Sequence, residues 1–176
     1  MTPALVERLR SSIRDIPDFP KPGILFKDIT PVLGDAALFG DVVLHLAQFH
    51  EPHGVDVVAG IESRGFIIGA PLALALNAGF VPFRKVGKLP AKTKRVDYAL
   101  EYGMDALEAH EDAITPGQRV LVVDDVLATG GTAAAAGKLV QELGGELLGF
   151  SLLIELSFLN GRERLGDYPI NAVLTY

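Results

Sequence analysis

The chain of 176 residues contains no cysteine, which excludes disulfides and thiolate chemistry and leaves no thiol from which to read a redox compartment. It has no unbroken apolar run of membrane-spanning length. Where a secretory signal would need an apolar core, the amino terminus carries Glu7, Arg8, Arg10 and Arg14, so a cytoplasmic protein with no membrane partner is expected. Histidine offers little. His45 and His110 stand alone, while Pro52 and Gly54 interrupt the chain around His50 and His53 and disfavour a metal-binding pair. There is no internal repeat and no low-complexity linker. Acidic residues outnumber basic ones, 22 to 16, and the net charge of −6 argues against a general nucleic-acid or membrane-surface partner. A local basic cluster could still bind phosphates.

What is present is enough for one compact enzyme-sized domain, since 49% of the residues are hydrophobic. Leu5, Leu9 and Ile13 recur at helical spacing in an opening helix, which the cluster from Pro17 to Pro22 ends in an extended segment. A second helix is expected over 36–49, with Leu38, Val42, Val43, Leu46 and Phe49 on one face. Strands follow over 55–61 and 80–84, a helix over 65–77, a helix from Thr132 to about Leu143, and a strand within 144–156. Such alternation implies an α/β protein with a mostly parallel central sheet flanked by helices. Residues 86–98 carry Lys88, Lys92, Lys94 and Arg95 with little apolar pattern, and are expected to form a mobile surface arm.

The most informative stretch runs from Val120 to Thr132. Val120 to Val123 has the β-branched and aliphatic character of a buried parallel strand, Asp124 and Asp125 follow, and Ala128-Thr129-Gly130-Gly131-Thr132 leads into a helix that Thr132 could cap. Gly130 and Gly131 let the backbone approach a ligand, and the loop amides with the helix N-terminus suit a phosphate monoester. Thr129 and Thr132 add hydroxyl donors. Carboxylates accept hydrogen bonds from vicinal hydroxyls, so Asp124 and Asp125 suit the diol of a sugar whose own phosphate sits in the loop. Two other phosphate loops are excluded. Gly137-Lys138 has Thr132 in place of the first Walker glycine and Leu139 in place of its hydroxyl, and no Gly-x-Gly occurs for a dinucleotide fingerprint.

This string resembles the signature of the type I phosphoribosyltransferases, which bind 5-phosphoribosyl-1-pyrophosphate. The resemblance covers nearly the whole chain. Asp18 to Pro31, Glu62-Ser63-Arg64-Gly65-Phe66, Arg84-Lys85 with Gly87-Lys88-Leu89-Pro90, and Leu100-Glu101-Tyr102-Gly103 resemble, in order and spacing, the members that use adenine. The resemblance implies a type I fold with an amino-terminal hood over about 1–34 and a flexible arm over about 86–103, in a single domain spanning 1–176 that forms a homodimer. It also implies transfer of the phosphoribosyl group to adenine, giving AMP and pyrophosphate in purine salvage, with Mg²⁺ held by pyrophosphate, ribose and water and by no dedicated protein ligand. The alternatives are a transferase for hypoxanthine, guanine or xanthine, and a non-catalytic regulator that senses the sugar pyrophosphate. No appended DNA-binding domain fits the latter.

The same resemblance distributes roles. Asp124, Asp125, Ala128, Thr129, Gly130, Gly131 and Thr132 would hold ribose phosphate, and Glu62, Ser63, Arg64, Gly65, Arg84 and Lys88 would hold pyrophosphate. Arg64 and Lys88 would also serve catalysis by neutralising the leaving group. Glu62 sits oddly beside an anion, which a magnesium complex would resolve. The plain alternative is that Arg64 pairs with Glu62 or with another acid. Glu101 would accept the purine proton and Tyr102 would cover the site. Adenine would lie among Leu25, Phe26, Lys27 and Leu159, with Lys27 standing where some relatives have Arg.

Overall fold

The computed structural model describes residues 2–99 and 104–176. The chain gathers into two compact units, 1–46 and 47–176. In the first, Thr2 caps helix α1 (Pro3–Ser12) by accepting from the Leu5 N–H, and Pro at the first helical position costs no hydrogen bond there. β1 (Arg14–Pro17) then pairs antiparallel with β2 (Leu25–Asp28), placing Asp15 opposite Lys27 and Ile16 opposite Phe26. The Pro-rich stretch from Pro17 to Pro22, expected to be extended, is instead the turn that joins the two strands: only Pro17 lies in a strand, Asp18 has φ +55°, and the Gly23 N–H donates to Asp18 Oδ1 at 2.8 Å. α2 (Thr30–Gly34) follows, and Asp35 accepts from the Ala37 and Leu38 amides at the start of α3 (Ala36–His50), on which Leu38 and Leu46 are fully buried.

In the second unit β3 (Val57–Ile61), α4 (Arg64–Ala75), β4 (Gly79–Lys85), β5 (Thr93–Ala99), β6 (Met104–His110), β7 (Arg119–Leu127), α5 (Gly131–Glu142), β8 (Glu146–Glu155) and β9 (Ile170–Thr175) succeed one another. Among the described residues the strands form one seven-stranded sheet in the order β5-β6-β4-β3-β7-β8-β9. The run β4-β3-β7-β8-β9 is parallel, and β6 joins β4 antiparallel, as β5 joins β6. The α/β architecture with a mostly parallel sheet is as expected.

Alternation of side chains sorts the two faces. Ala59, Phe83, Val120 and Val122 are buried in one core with Ala136, Leu139 and Val140 of α5. On the other face α4 comes close: a Cβ added to its Gly69 would lie 3.0 Å from Phe80 and 3.4 Å from Val58. Strands covered on both faces read as continuous apolar runs, which is why Val120 to Val123 was legible.

The basic segment departs from expectation. Residues 93–99 form a regular edge strand, and Val96 and Tyr98 are turned into the core at 4% and 7% exposure. Two apolar residues at strand spacing among four cations give too weak a signal for the eye, yet they suffice to seat the strand.

Candidate active site

β3 and β7 are neighbours in the sheet, so the loops after them rise side by side at their carboxyl ends, where open α/β sheets bind ligands. β7 runs on through Leu127, so Asp124 and Asp125 are strand residues instead of the first residues beyond the strand. Consecutive strand positions diverge, and the two carboxylates therefore have different surroundings. Asp124 joins Ala128, Thr129, Gly130, Gly131 and Thr132 around a cavity of about 80 Å³. Asp125 is 4% exposed and accepts a hydrogen bond from Arg64 Nε.

Asp124 Oδ1 accepts from the Asp125 N–H at 2.8 Å. Burial, and then the neighbouring Asp125 carboxylate, push Asp124 well above the ordinary aspartate pKa, although Arg64 opposes the shift. The helix cap differs from expectation as well. Gly130, at φ +80°, is the N-cap of α5 and no side chain caps it, so Thr132 lies inside the first turn with its hydroxyl uncommitted to that role. Leaving out a side-chain cap keeps the first amides of α5 available to an anion.

The second loop begins at Glu62, whose peptide bond to Ser63 is cis, and leads into α4 at Arg64. Gly65 has a steric reason: a Cβ there would lie 2.6 Å from the Val123 carbonyl oxygen and 3.2 Å from Asp124 Oδ1. Glu62 is explained by its neighbours. Its carboxylate accepts from Arg84 Nε and Nη2, both at 3.2 Å, and from the Lys85 N–H at 3.0 Å. Partial burial alone would raise its pKa, but these hydrogen bonds and the charges of Arg84 and Lys88 hold it below the ordinary glutamate value. Arg84 also donates to the Lys88 carbonyl at 3.0 Å and lies 5.9 Å from the centre of the Phe66 ring. Arg84, Glu62 and the Lys88 backbone are therefore one cluster, and Ser63 and Lys88 are exposed beside it. Lys85 turns instead to Asp105 and to the Tyr98 hydroxyl, 2.7 Å away, which commits it to the edge strands.

The residues expected around the base are distributed between the two units. Leu25, Phe26 and Lys27 form most of β2, where Phe26 meets Phe19 edge-on at 5.2 Å and Lys27 Nζ donates to Asp15 at 2.6 Å. Leu159, 39% exposed, ends a 3-10 turn after β8. Glu101 and Tyr102 lie outside the described residues. Sequence reasoning passed over Phe66, which follows the Arg64-Gly65 pair, and Gly161, whose only sequence signal is the turn-forming Asn160-Gly161 pair.

Residues 33–167 match the family model of the phosphoribosyl transferase domain, and the chain belongs to that family. It is 58% identical over 172 residues to the adenine phosphoribosyltransferase of Myxococcus xanthus, covering 98% of this chain and 94% of that one. The solved adenine phosphoribosyltransferase of Thermoanaerobacter pseudethanolicus superposes with a TM-score of 0.95 at 53% identity, covering 97% and 99% of the two chains. That of Saccharomyces cerevisiae, solved with an imino-altritol bisphosphate and adenine, gives 0.92 at 42% identity, covering 98% and 100%. Within the family the chain falls among the adenine phosphoribosyltransferases, which are enzymes of purine salvage.

Proposed function

We propose the following division of labour for the transfer of the 5-phosphoribosyl group from phosphoribosyl pyrophosphate to adenine. The observation that carries it is the single cavity shared by Asp124 and the Ala128–Thr132 loop, which pairs a diol acceptor with an uncapped helix N-terminus. The loop binds the 5-phosphate through its amides and the Thr129 and Thr132 hydroxyls. Asp124 accepts from the ribose diol. Asp125 joins it when Arg64 transfers from the Asp125 carboxylate to pyrophosphate, since a guanidinium suits phosphate oxygens as well as a carboxylate. Ser63, Gly65, Arg84 and Lys88 complete the pyrophosphate side. Arg84 reaches that side already oriented by Glu62, so the acid that looked misplaced serves to position a cation.

Mg²⁺ fits this donor set as a partner of the substrate. No group of three or more acidic or histidine side chains able to hold a metal occurs among the described residues, and Mg²⁺ keeps water and phosphate oxygens as most of its ligands. When bound it neutralises charge on pyrophosphate. The chain's own cations, Arg64, Arg84 and Lys88, supply the rest as the bond to the anomeric carbon breaks, and the carboxylates stabilise the oxocarbenium character left behind. Adenine N9 attacks that carbon while Glu101 accepts its proton and Tyr102 covers the site. The base itself contacts Leu25, Phe26, Lys27 and Leu159. The Lys27 ammonium is engaged by Asp15, which supports a backbone contact to the base and makes Lys in place of Arg tolerable.

We further propose a cytoplasmic homodimer of single-domain chains. Ile67 and Leu74 lie seven residues apart on one stripe of α4 at 45% and 83% exposure, an apolar surface suited to association. Light scattering should return twice the chain mass. Turnover of adenine, hypoxanthine, guanine and xanthine with phosphoribosyl pyrophosphate and Mg²⁺ tests the base assignment: adenine should be preferred by orders of magnitude, and equal turnover of any oxopurine rejects this account of the base site.

A further inference from the structure

We infer that Gly161 is a positioning residue for the phosphate loop, bracing Ala128 to Gly130 from behind; the inference rests on the reading of that loop as the 5-phosphate site. Gly161 has no left-handed backbone to explain it, so its conformation is open to any residue. Space explains it instead. A Cβ at Gly161 would lie 2.2 Å from the Ala128 carbonyl oxygen, 3.0 Å from Leu127 Cγ and 3.1 Å from the Gly130 nitrogen. The approach is reciprocal, since a Cβ at Gly130 would lie 2.3 Å from the Gly161 carbonyl oxygen. Two backbones interlock there with no side chain between them.

The turn that carries Gly161 cannot easily step back. The Leu156 N–H donates to the Leu127 carbonyl at 2.9 Å, which ties the turn to the last residue of β7. Arg162 grips Glu155 with two donors, its Nη2 at 2.7 Å from Oε2, and Glu155 is 5% exposed. A methyl group at 161 is therefore relieved by movement of the loop from Ala128 to Gly130. Amides of Gly130 and Gly131 then turn away from the phosphate. Because Leu159 lies on the same anchored turn, it should keep its place, so the two substrates are affected unequally.

The test is steady-state kinetics of the full chain carrying Gly161→Ala, Thr132→Ala or Gly40→Ala. Gly161→Ala should raise KM for phosphoribosyl pyrophosphate about ten- to hundred-fold, the scale of a misplacement near 1 Å, while KM for adenine stays within about three-fold of the parent. Gly40, with nothing within 4 Å of an added Cβ, should tolerate alanine at the parent's values. If Thr132→Ala raises the sugar-phosphate KM and Gly161→Ala does not, the brace is refuted and the loop assignment stands. If Thr132→Ala has no effect, the loop assignment itself fails.

Should Gly161→Ala not fold, hydrogen exchange of the parent with ribose 5-phosphate alone decides. Slowed exchange in both 128–132 and 157–165 supports the brace; slowing confined to 128–132 overturns it, and slowing in neither removes the phosphate site from this loop.

Discussion

Folding disfavours the ionised form of Asp124. Its pKa is raised by burial first and by Asp125 second, so the folded protein binds a proton there more tightly than the unfolded chain does. The sign follows: this group's contribution is most favourable below the unfolded aspartate pKa of about 4, and it is lost as pH rises toward the folded value. At neutral pH, where the unfolded chain carries this carboxyl ionised, the raised affinity for the proton therefore opposes folding in the absence of substrate. Asp124→Asn should raise the melting temperature at pH 7, with the gain shrinking toward pH 4, while kcat/KM for phosphoribosyl pyrophosphate falls by about 10- to 100-fold from loss of a charged diol acceptor. Calorimetry across pH beside a kinetic assay checks both halves. A variant with lower stability and unchanged kinetics would show that the carboxylate serves the fold and not the sugar.

Between elements, the site depends on how closely the start of α4 meets the end of β7. Gly65 lets Arg64 reach Asp125, because any Cβ at 65 would press on the Val123 carbonyl. Gly65→Ala should cost about 1–3 kcal/mol of stability, the usual range for overpacking, and weaken pyrophosphate inhibition because Arg64 is displaced. Urea denaturation and product-inhibition kinetics report the two effects. Gly34→Ala, with nothing within 4 Å of its Cβ, should show neither.

The same elements show what could be read in advance. Strands buried on both faces and the long α3 announced themselves through apolar runs and helical spacing, and the Asp124 to Thr132 string pointed to the family through residue chemistry. β5 did not, since Val96 and Tyr98 are only two inward positions among cations. Nor did the partnering of charges: Arg64 with Asp125 and Arg84 with Glu62 are separations of 61 and 22 residues, set by strand order. Gly161 was hidden for the same reason, its purpose being a backbone 33 residues away in number but in contact through the β7 and β8 pairing.

For the molecule as a whole, the end of the sheet remote from this site holds a second determinant of stability. His50 is 6% exposed, and its Nε2 finds no partner among the described residues. It borders a cavity of about 70 Å³ with Phe49, His53, Leu121, Phe150 and Asn171. Burial first, and His53 second, lower its pKa from 6.5 to about 4. The unfolded chain thus binds the proton more readily, so stability from neutral His50 is complete above about pH 6.5 and is lost as pH falls toward 4. The shift corresponds to a loss on the order of 3 kcal/mol over that window. Asp124 works in the opposite sense, gaining as pH falls, so the two partly offset each other in the parent protein. Replacing His50 by Leu removes one contribution and exposes the other. Denaturant midpoints between pH 4 and 7 should then decline less steeply with acid in His50→Leu than in the parent, and adding Asp124→Asn, which removes the opposing contribution, should make the decline steeper again than in His50→Leu alone. Parallel curves for parent and His50→Leu would mean that His50 takes up its proton as readily in the folded protein as in the unfolded chain, and the acid sensitivity would have to come from other groups.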